Sequence, residues 1–86
     1  MLDKLRYAAE YRRANPEQYL KQLNIIVNRL NDIRVTHGDL QLGNIMRVLD
    51  SNRLVLIDLE YAGPVNKKTI ELQEEQLEAI RQEIYD

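Results

Sequence analysis

The chain has 86 residues, of which 44% are hydrophobic and 30% charged, and its net charge is −2. It contains no cysteine, which excludes disulfides, thiolate metal sites and cysteine nucleophiles. No apolar run reaches the roughly 20 residues that span a bilayer, and the first residues lack the apolar core of a signal peptide. We therefore expect a cytoplasmic protein with no membrane partner, too short to hold a complete two-lobed enzyme.

Charge is distributed unevenly along the sequence. Residues 1–35 carry seven Lys and Arg against four Asp and Glu, whereas residues 67–86 carry three against six. The basic start pairs Arg12 and Arg13 with nearby tyrosines, a pattern that RNA-binding helices share. The acidic balance of the whole chain argues against a nucleic-acid partner, and a solvated helix face is the simpler interpretation.

Apolar periodicity predicts two helices in the first part of the chain. The first covers residues 2–13, and the second begins at Asn15 and Pro16. Asn15 is suited to cap this helix, and Pro16 is suited to its first position. Apolar side chains then recur every three or four residues to about Asp32, as in an amphipathic helix: Leu20, Leu23, Val27 and Leu30.

A β-hairpin follows. Residues 45–49 and 54–57 are apolar, β-prone runs, and residues 50–53 between them have turn chemistry. The fold class is therefore α+β, with helices flanking a hairpin. The predicted parts are a helical region over residues 2–33, a loop and hairpin over 34–62, and a final helix over 69–85.

Three polar side chains flank this hairpin. Asp39 and Asn44 lie in the loop before it, and Asp58 directly follows its second strand. Because a hairpin returns the chain to its start, Asp58 should end close to Asn44. Such a group suits phosphoryl transfer, in which oxygen ligands hold Mg²⁺ and a carboxylate accepts the proton of the attacking hydroxyl. Each residue is also ordinary in a turn or at a strand end, but that interpretation leaves their joint placement unexplained.

Two sequence motifs resemble a known group of enzymes. HGDLQLGN at residues 37–44 and LIDLEYA at residues 56–62 resemble the aminoglycoside phosphotransferase and choline-ethanolamine kinase family, which has a protein-kinase-like fold. The His-x-Asp-x-x-x-x-Asn spacing is that of the protein kinase catalytic loop. The residue after the His is Gly rather than Arg, which resembles the small-molecule kinases. The close resemblance covers residues 35–62, and it implies that the chain is part of a kinase-like C-lobe.

The resemblance implies roles for five residues. Asp39 would be the catalytic base, and His37 would support its loop. Asn44 and Asp58 would bind the Mg²⁺ of the nucleotide. Glu60 would lie at the edge of this site, although a merely solvated carboxylate is an equally open alternative. The implied cofactors are Mg²⁺ and ATP, and the implied acceptor is a hydroxyl of a choline-, aminoglycoside- or sugar-like molecule.

The nucleotide-binding features of a kinase are not recognised in this sequence. No glycine-rich phosphate loop and no strand-borne Lys precede residue 37. We therefore expect a fragment or remnant of a small-molecule kinase that is inactive alone and needs a missing N-lobe or a second chain. The alternative is a non-catalytic interaction module, whose amphipathic helices pack against a partner or another copy.

Overall fold

The computed structural model describes residues 5–49, 51 and 53–85, and their fold is α+β. Three strands form an antiparallel sheet in the order β1-β3-β4, and two short strands form a second antiparallel pair, β2-β5. The elements in chain order are β1 (Leu5–Tyr7), α1 (Ala9–Ala14), α2 (Pro16–Asp32), β2 (Val35–Thr36), β3 (Ile45–Val48), β4 (Arg53–Leu56), β5 (Gly63–Pro64) and α3 (Lys67–Tyr85). None of the described helices is long and apolar enough to cross a membrane.

The first strand corrects the sequence prediction of a helix over residues 2–13. Residues 5–7 pair antiparallel with β3, and a helix begins only at Ala9. The predicted residues 2–4 lie outside the described part. The physical reason is that a short isolated helix is marginal in water, whereas pairing with the free edge of β3 gives these residues backbone partners.

Helix α2 has the predicted bounds but lacks the predicted side-chain cap. Pro16 occupies its first position, as expected, whereas the Asn15 side chain makes no capping hydrogen bond. That amide instead donates weakly, at 3.4 Å, to the carbonyl of Tyr11. The helix ends where Arg34 adopts a left-handed conformation, with φ of 64°, and turns the chain into β2. The start of β2 is also bonded to α2, since the Asn31 side chain donates to the Val35 carbonyl at 3.0 Å.

The hairpin of β3 and β4 agrees with the prediction to within one residue at each end. Ile45 pairs with Leu56, and Val48 pairs with Arg53. Of the predicted turn, Asp50 and Asn52 lie outside the described residues.

Helix α3 begins at Lys67, two residues before the predicted start. The Asn66 side chain accepts the Thr69 N–H at 3.0 Å, and the Thr69 hydroxyl accepts the Asn66 N–H at 2.8 Å. This reciprocal capping box satisfies two backbone donors and so extends the helix to Lys67.

One apolar core joins the helices to the sheet. Its buried side chains come from the residue before α1, from α2, the loop, the hairpin and α3: Ala8, Tyr19, Leu23, Val27, Leu40, Ile45, Leu54, Leu77 and Ile80. Tyr19 is fully buried, and burial raises the pKa of its hydroxyl to about 12. The loop that carries Asp39 is thus held against the core by the neighbouring Leu40.

Candidate active site

His37 joins the two segments that carry the candidate residues. It follows β2 and is buried, with 1% of its surface exposed. Its Nδ1 accepts the Asp39 N–H at 3.1 Å, and its Nε2 lies 2.7 Å from the carbonyl oxygen of Ile57. Because a backbone N–H can only donate, Nδ1 is the acceptor and Nε2 carries the hydrogen. A neutral imidazole therefore links the Asp39 backbone to the residue just before Asp58.

Gly38 has a backbone conformation and surroundings that only glycine fits. Its φ is 89°, and a Cβ built on it would overlap the carbonyl oxygen of Tyr61. The Gly38 backbone thus packs directly on the turn after Asp58. This contact gives a physical reason for glycine between His37 and Asp39.

The Asp39 carboxylate is half-buried and held by two amide side chains. Its Oδ1 accepts from Gln41 Nε2 at 3.0 Å, and its Oδ2 accepts from Asn44 Nδ2 at 3.1 Å. An ionised carboxylate offers about four acceptor positions, so lone pairs remain for a further proton donor. These bonds orient Asp39 without using up its capacity as a base.

Asn44 connects the loop to the hairpin and is buried, with 8% of its surface exposed. Its amide NH₂ group donates to the carboxylate and to the main-chain oxygen of Asp39, the latter at 2.9 Å. The main-chain carbonyl of Asn44 accepts the Ile57 N–H at 2.9 Å. Asn44 therefore also bonds the loop backbone. Within the described residues its Oδ1 makes no hydrogen bond.

Asp58 follows β4 in a left-handed conformation, with φ of 61° and ψ of 73°. Its side chain is exposed and has no hydrogen bond or ion pair in the described part of the chain. The bond between Ile57 and Asn44 brings Asp58 to the end of the hairpin where Asn44 and Asp39 lie. The structure thus gathers the three residues at one end of the ribbon.

The donor set at this end of the hairpin fits Mg²⁺. The Asn44 Oδ1 and the Asp58 carboxylate are hard oxygen donors, and neither is engaged by another described side chain. Mg²⁺ commonly takes one or two protein oxygens and keeps several waters. Among residues 5–49, 51 and 53–85, no cluster of three or more His, Cys, Asp and Glu side chains that could hold a metal ion is present. An ion at this place would be held by Asn44, Asp58 and non-protein oxygens.

Glu60 and Tyr61 lie in the short 3₁₀ turn after Asp58, and both are exposed. The Glu60 carboxylate has no hydrogen-bond partner in the described ranges. Its position is compatible with both interpretations made from the sequence, the edge of the site and a solvated side chain.

Gln76 is a site residue that the sequence interpretation missed. It projects from α3 and hydrogen-bonds to the main chain at Gly38 and Leu40, on either side of Asp39. One turn earlier, Gln73 is buried and forms a reciprocal amide pair with Asn31 of α2. The available signal is that both glutamines fall on the apolar stripe of α3, where a polar side chain needs a partner.

An apolar groove of about 500 Å³ lies beside this site. Helix α2 forms one wall, and β4 with the following turn forms the other. Its lining includes Ile26, Leu30, Ile33, Leu54, Leu56 and Leu59. Ile33 and Leu59 are 69% and 57% exposed, so the groove presents large apolar side chains to solvent next to Asp58.

Comparison with known protein families identifies the kind of enzyme to which this arrangement is related. The model of the lipopolysaccharide kinase (Kdo/WaaP) family matches residues 2–84. The chain belongs to this kinase family. Neither a curated protein nor a solved structure matches it.

Membership of the Kdo/WaaP family confirms the kinase part of the sequence interpretation. A kinase transfers a phosphoryl group from a nucleoside triphosphate, which implies ATP and a divalent metal ion. The narrower resemblance to aminoglycoside phosphotransferases and choline-ethanolamine kinases stays a prediction, as do the C-lobe correspondence and the roles of the five site residues.

Proposed function

We propose that the chain carries the base and the metal ligands of a kinase that transfers the γ-phosphate of ATP to a hydroxyl group. The observation that carries the proposal is a series of hydrogen bonds from Asp39 to Asn44 and from Asn44 to Ile57. These bonds hold Asp39, Asn44 and the residue after Ile57, Asp58, at one end of the hairpin. The family description points to a lipopolysaccharide acceptor, hence a sugar hydroxyl. Choline and aminoglycoside hydroxyls are the other candidates, suggested by the sequence motifs. A cytoplasmic location suits the use of ATP.

The chemistry assigned to each residue follows from its contacts. Asp39 accepts the proton of the acceptor hydroxyl while the oxygen of that hydroxyl forms a bond to the γ-phosphorus. The bond from that phosphorus to the β-bridging oxygen breaks, and ADP leaves. Asn44 and Asp58 would hold Mg²⁺, which supplies charge neutralisation for the phosphates. His37 keeps the backbone of Asp39 next to Ile57, and Glu60 lies at the rim.

Isothermal titration with MgATP tests this proposal on the chain as it stands. Binding is expected for the wild type, either alone or once a kinase N-lobe is added, and should weaken by at least about tenfold in Asp58→Asn, because a metal ligand is lost. Glu74→Gln, an exposed change on α3, removes one carboxylate far along the chain and should leave the affinity unchanged. No binding by the chain, with none restored by an added kinase N-lobe, would overturn the catalytic proposal.

The apolar groove favours a second candidate function, that of a split-kinase partner or interaction module. We infer that the groove receives an apolar segment of a nucleotide-binding lobe, supplied by the same polypeptide or by a second chain. The groove adjoins the candidate site, because Leu59 lines the groove and directly follows Asp58. This position suits a segment of the lobe that would bind the nucleotide. Sedimentation at micromolar concentration distinguishes it from self-association: Ile33→Glu should leave a monomer unchanged and should dissociate a dimer formed by two copies. A folded chain that binds MgATP without any partner would contradict it.

A further inference from the structure

One side chain of α3 bonds to the main chain on both sides of Asp39. The Oε1 of Gln76 accepts the Leu40 N–H at 3.0 Å, and its Nε2 donates to the Gly38 carbonyl at 3.1 Å. The two peptide groups that flank Asp39 are therefore held by a residue 36 to 38 positions further along the chain.

The chemistry of this contact is specific to an amide. A carboxamide offers a donor and an acceptor in one plane, as the Leu40 N–H and the Gly38 carbonyl require. An ionised Glu of the same length would accept from Leu40 but would face the Gly38 carbonyl with a second acceptor. A Leu of similar volume would leave the Leu40 N–H without a partner, and Leu40 itself is only 4% exposed.

Gln76 bonds two main-chain groups of the loop that the contacts of His37 and Asn44 leave without a partner. Gly38 has a φ of 89°, a conformation that the local chain does not enforce. The Asp39 N–H is fixed by His37, but the carbonyl before it and the N–H after it have Gln76 as their partner.

The position of Gln76 is itself fixed by the packing of α3 on α2. The Asn31 and Gln73 amides exchange hydrogen bonds of 3.0 and 2.9 Å across the two helices. Asn31 also donates to the Val35 carbonyl at 3.0 Å, at the strand that leads to His37. The docking of α3 is thus connected to the backbone around Asp39.

We propose that Gln76 is a positioning residue, which sets the main-chain conformation around Asp39 and makes the orientation of this side chain depend on the docking of α3. The structural part of this proposal concerns the loop alone. Its catalytic consequence rests on the proposed function, in which Asp39 is the base.

Amide hydrogen exchange measured by NMR tests the structural part directly. In Gln76→Leu, exchange of the Leu40 amide should accelerate roughly 5- to 30-fold, because its acceptor is removed. Gln76→Glu keeps the acceptor and should retain most of the protection at Leu40. Gln82→Leu alters an exposed glutamine of the same helix and should leave the Leu40 amide unchanged. The Val27 amide in α2 reports whether the core remains intact.

The outcomes separate this proposal from the proposed function. Unchanged Leu40 exchange in Gln76→Leu overturns the positioning role. Equal acceleration of Leu40 and Val27 in both Gln76 variants also overturns it, since the effect is then global unfolding. Selective acceleration at Leu40 supports it even if the wild type binds no MgATP, a result that would remove the proposed function alone. In an active enzyme, Gln76→Leu should lower kcat and leave KM for ATP nearly unchanged.

Discussion

Gly38→Ala should destabilise the chain far more than the same change at either of the other two glycines. A φ of 89° costs an L-residue roughly 1–2 kcal/mol. The added Cβ also overlaps the Tyr61 carbonyl oxygen, a backbone atom that cannot rotate away, and displacing a packed segment costs about 1–3 kcal/mol. The expected loss is therefore about 2–5 kcal/mol. This is a large share of the roughly 4–13 kcal/mol that 86 residues typically provide.

Thermal and urea unfolding of three alanine variants measure this difference. Gly38→Ala should lower Tm by about 10 °C or more, at roughly 4–8 °C per kcal/mol for a domain of this size. At Gly43 the nearest atom to the new Cβ is the flexible Gln41 side chain at 3.8 Å, and at Gly63 no atom lies within 4 Å. Both control variants should stay within about 1 kcal/mol of the wild type, or gain slightly from a stiffer unfolded chain.

The result that refutes this reasoning is a similar Tm for all three variants. It would mean that Gly38 does not hold its left-handed conformation against the Tyr61 carbonyl. The loop geometry from which the site is built would then be wrong as well, since His37 and Asp39 adjoin Gly38.

Three further predictions follow from individual contacts. The unfolding free energy should fall as the pH rises from about 10 towards 12, because Tyr19 has a folded pKa of about 12 against 10.0 unfolded. Tyr19→Phe should remove this contribution in urea titrations, whereas exposed Tyr61→Phe should not. Asp58→Gly should raise stability by about 1 kcal/mol, because φ of 61° suits glycine, while abolishing MgATP binding in calorimetry. A double-mutant cycle with Asn31→Ala and Gln73→Ala should give a coupling of roughly 0.5–3 kcal/mol, and additive effects would contradict the amide pair.

The local patterns of the sequence predicted the elements that are stabilised locally. Helix α2 follows from its apolar spacing, and the hairpin of β3 and β4 follows from two β-prone runs with turn residues between them. The hairpin geometry also explains why Asp58 returns to Asn44, a proximity that needs no other element.

The elements that depend on distant partners could not be predicted in this way. Strand β1 is a strand because the edge of β3 is free to pair with it, which residues 5–7 do not reveal. The early start of α3 was recognisable in principle, since Asn66 and Thr69 have capping-box spacing. Gln76 acts on a loop 36 residues before it, so only its place on an apolar helix face signals its role.

The central claim, that Asn44 and Asp58 form a divalent-metal site next to Asp39, is tested most directly with Mn²⁺ as a paramagnetic substitute for Mg²⁺. In amide NMR spectra, substoichiometric Mn²⁺ should broaden the signals around residues 39, 44 and 58 first, and Asp58→Asn should remove this broadening. The contradicting result is broadening centred on the glutamates of α3, unchanged in Asp58→Asn. Such a pattern would mean that the cations collect on an acidic helix and that the loop and hairpin bind none.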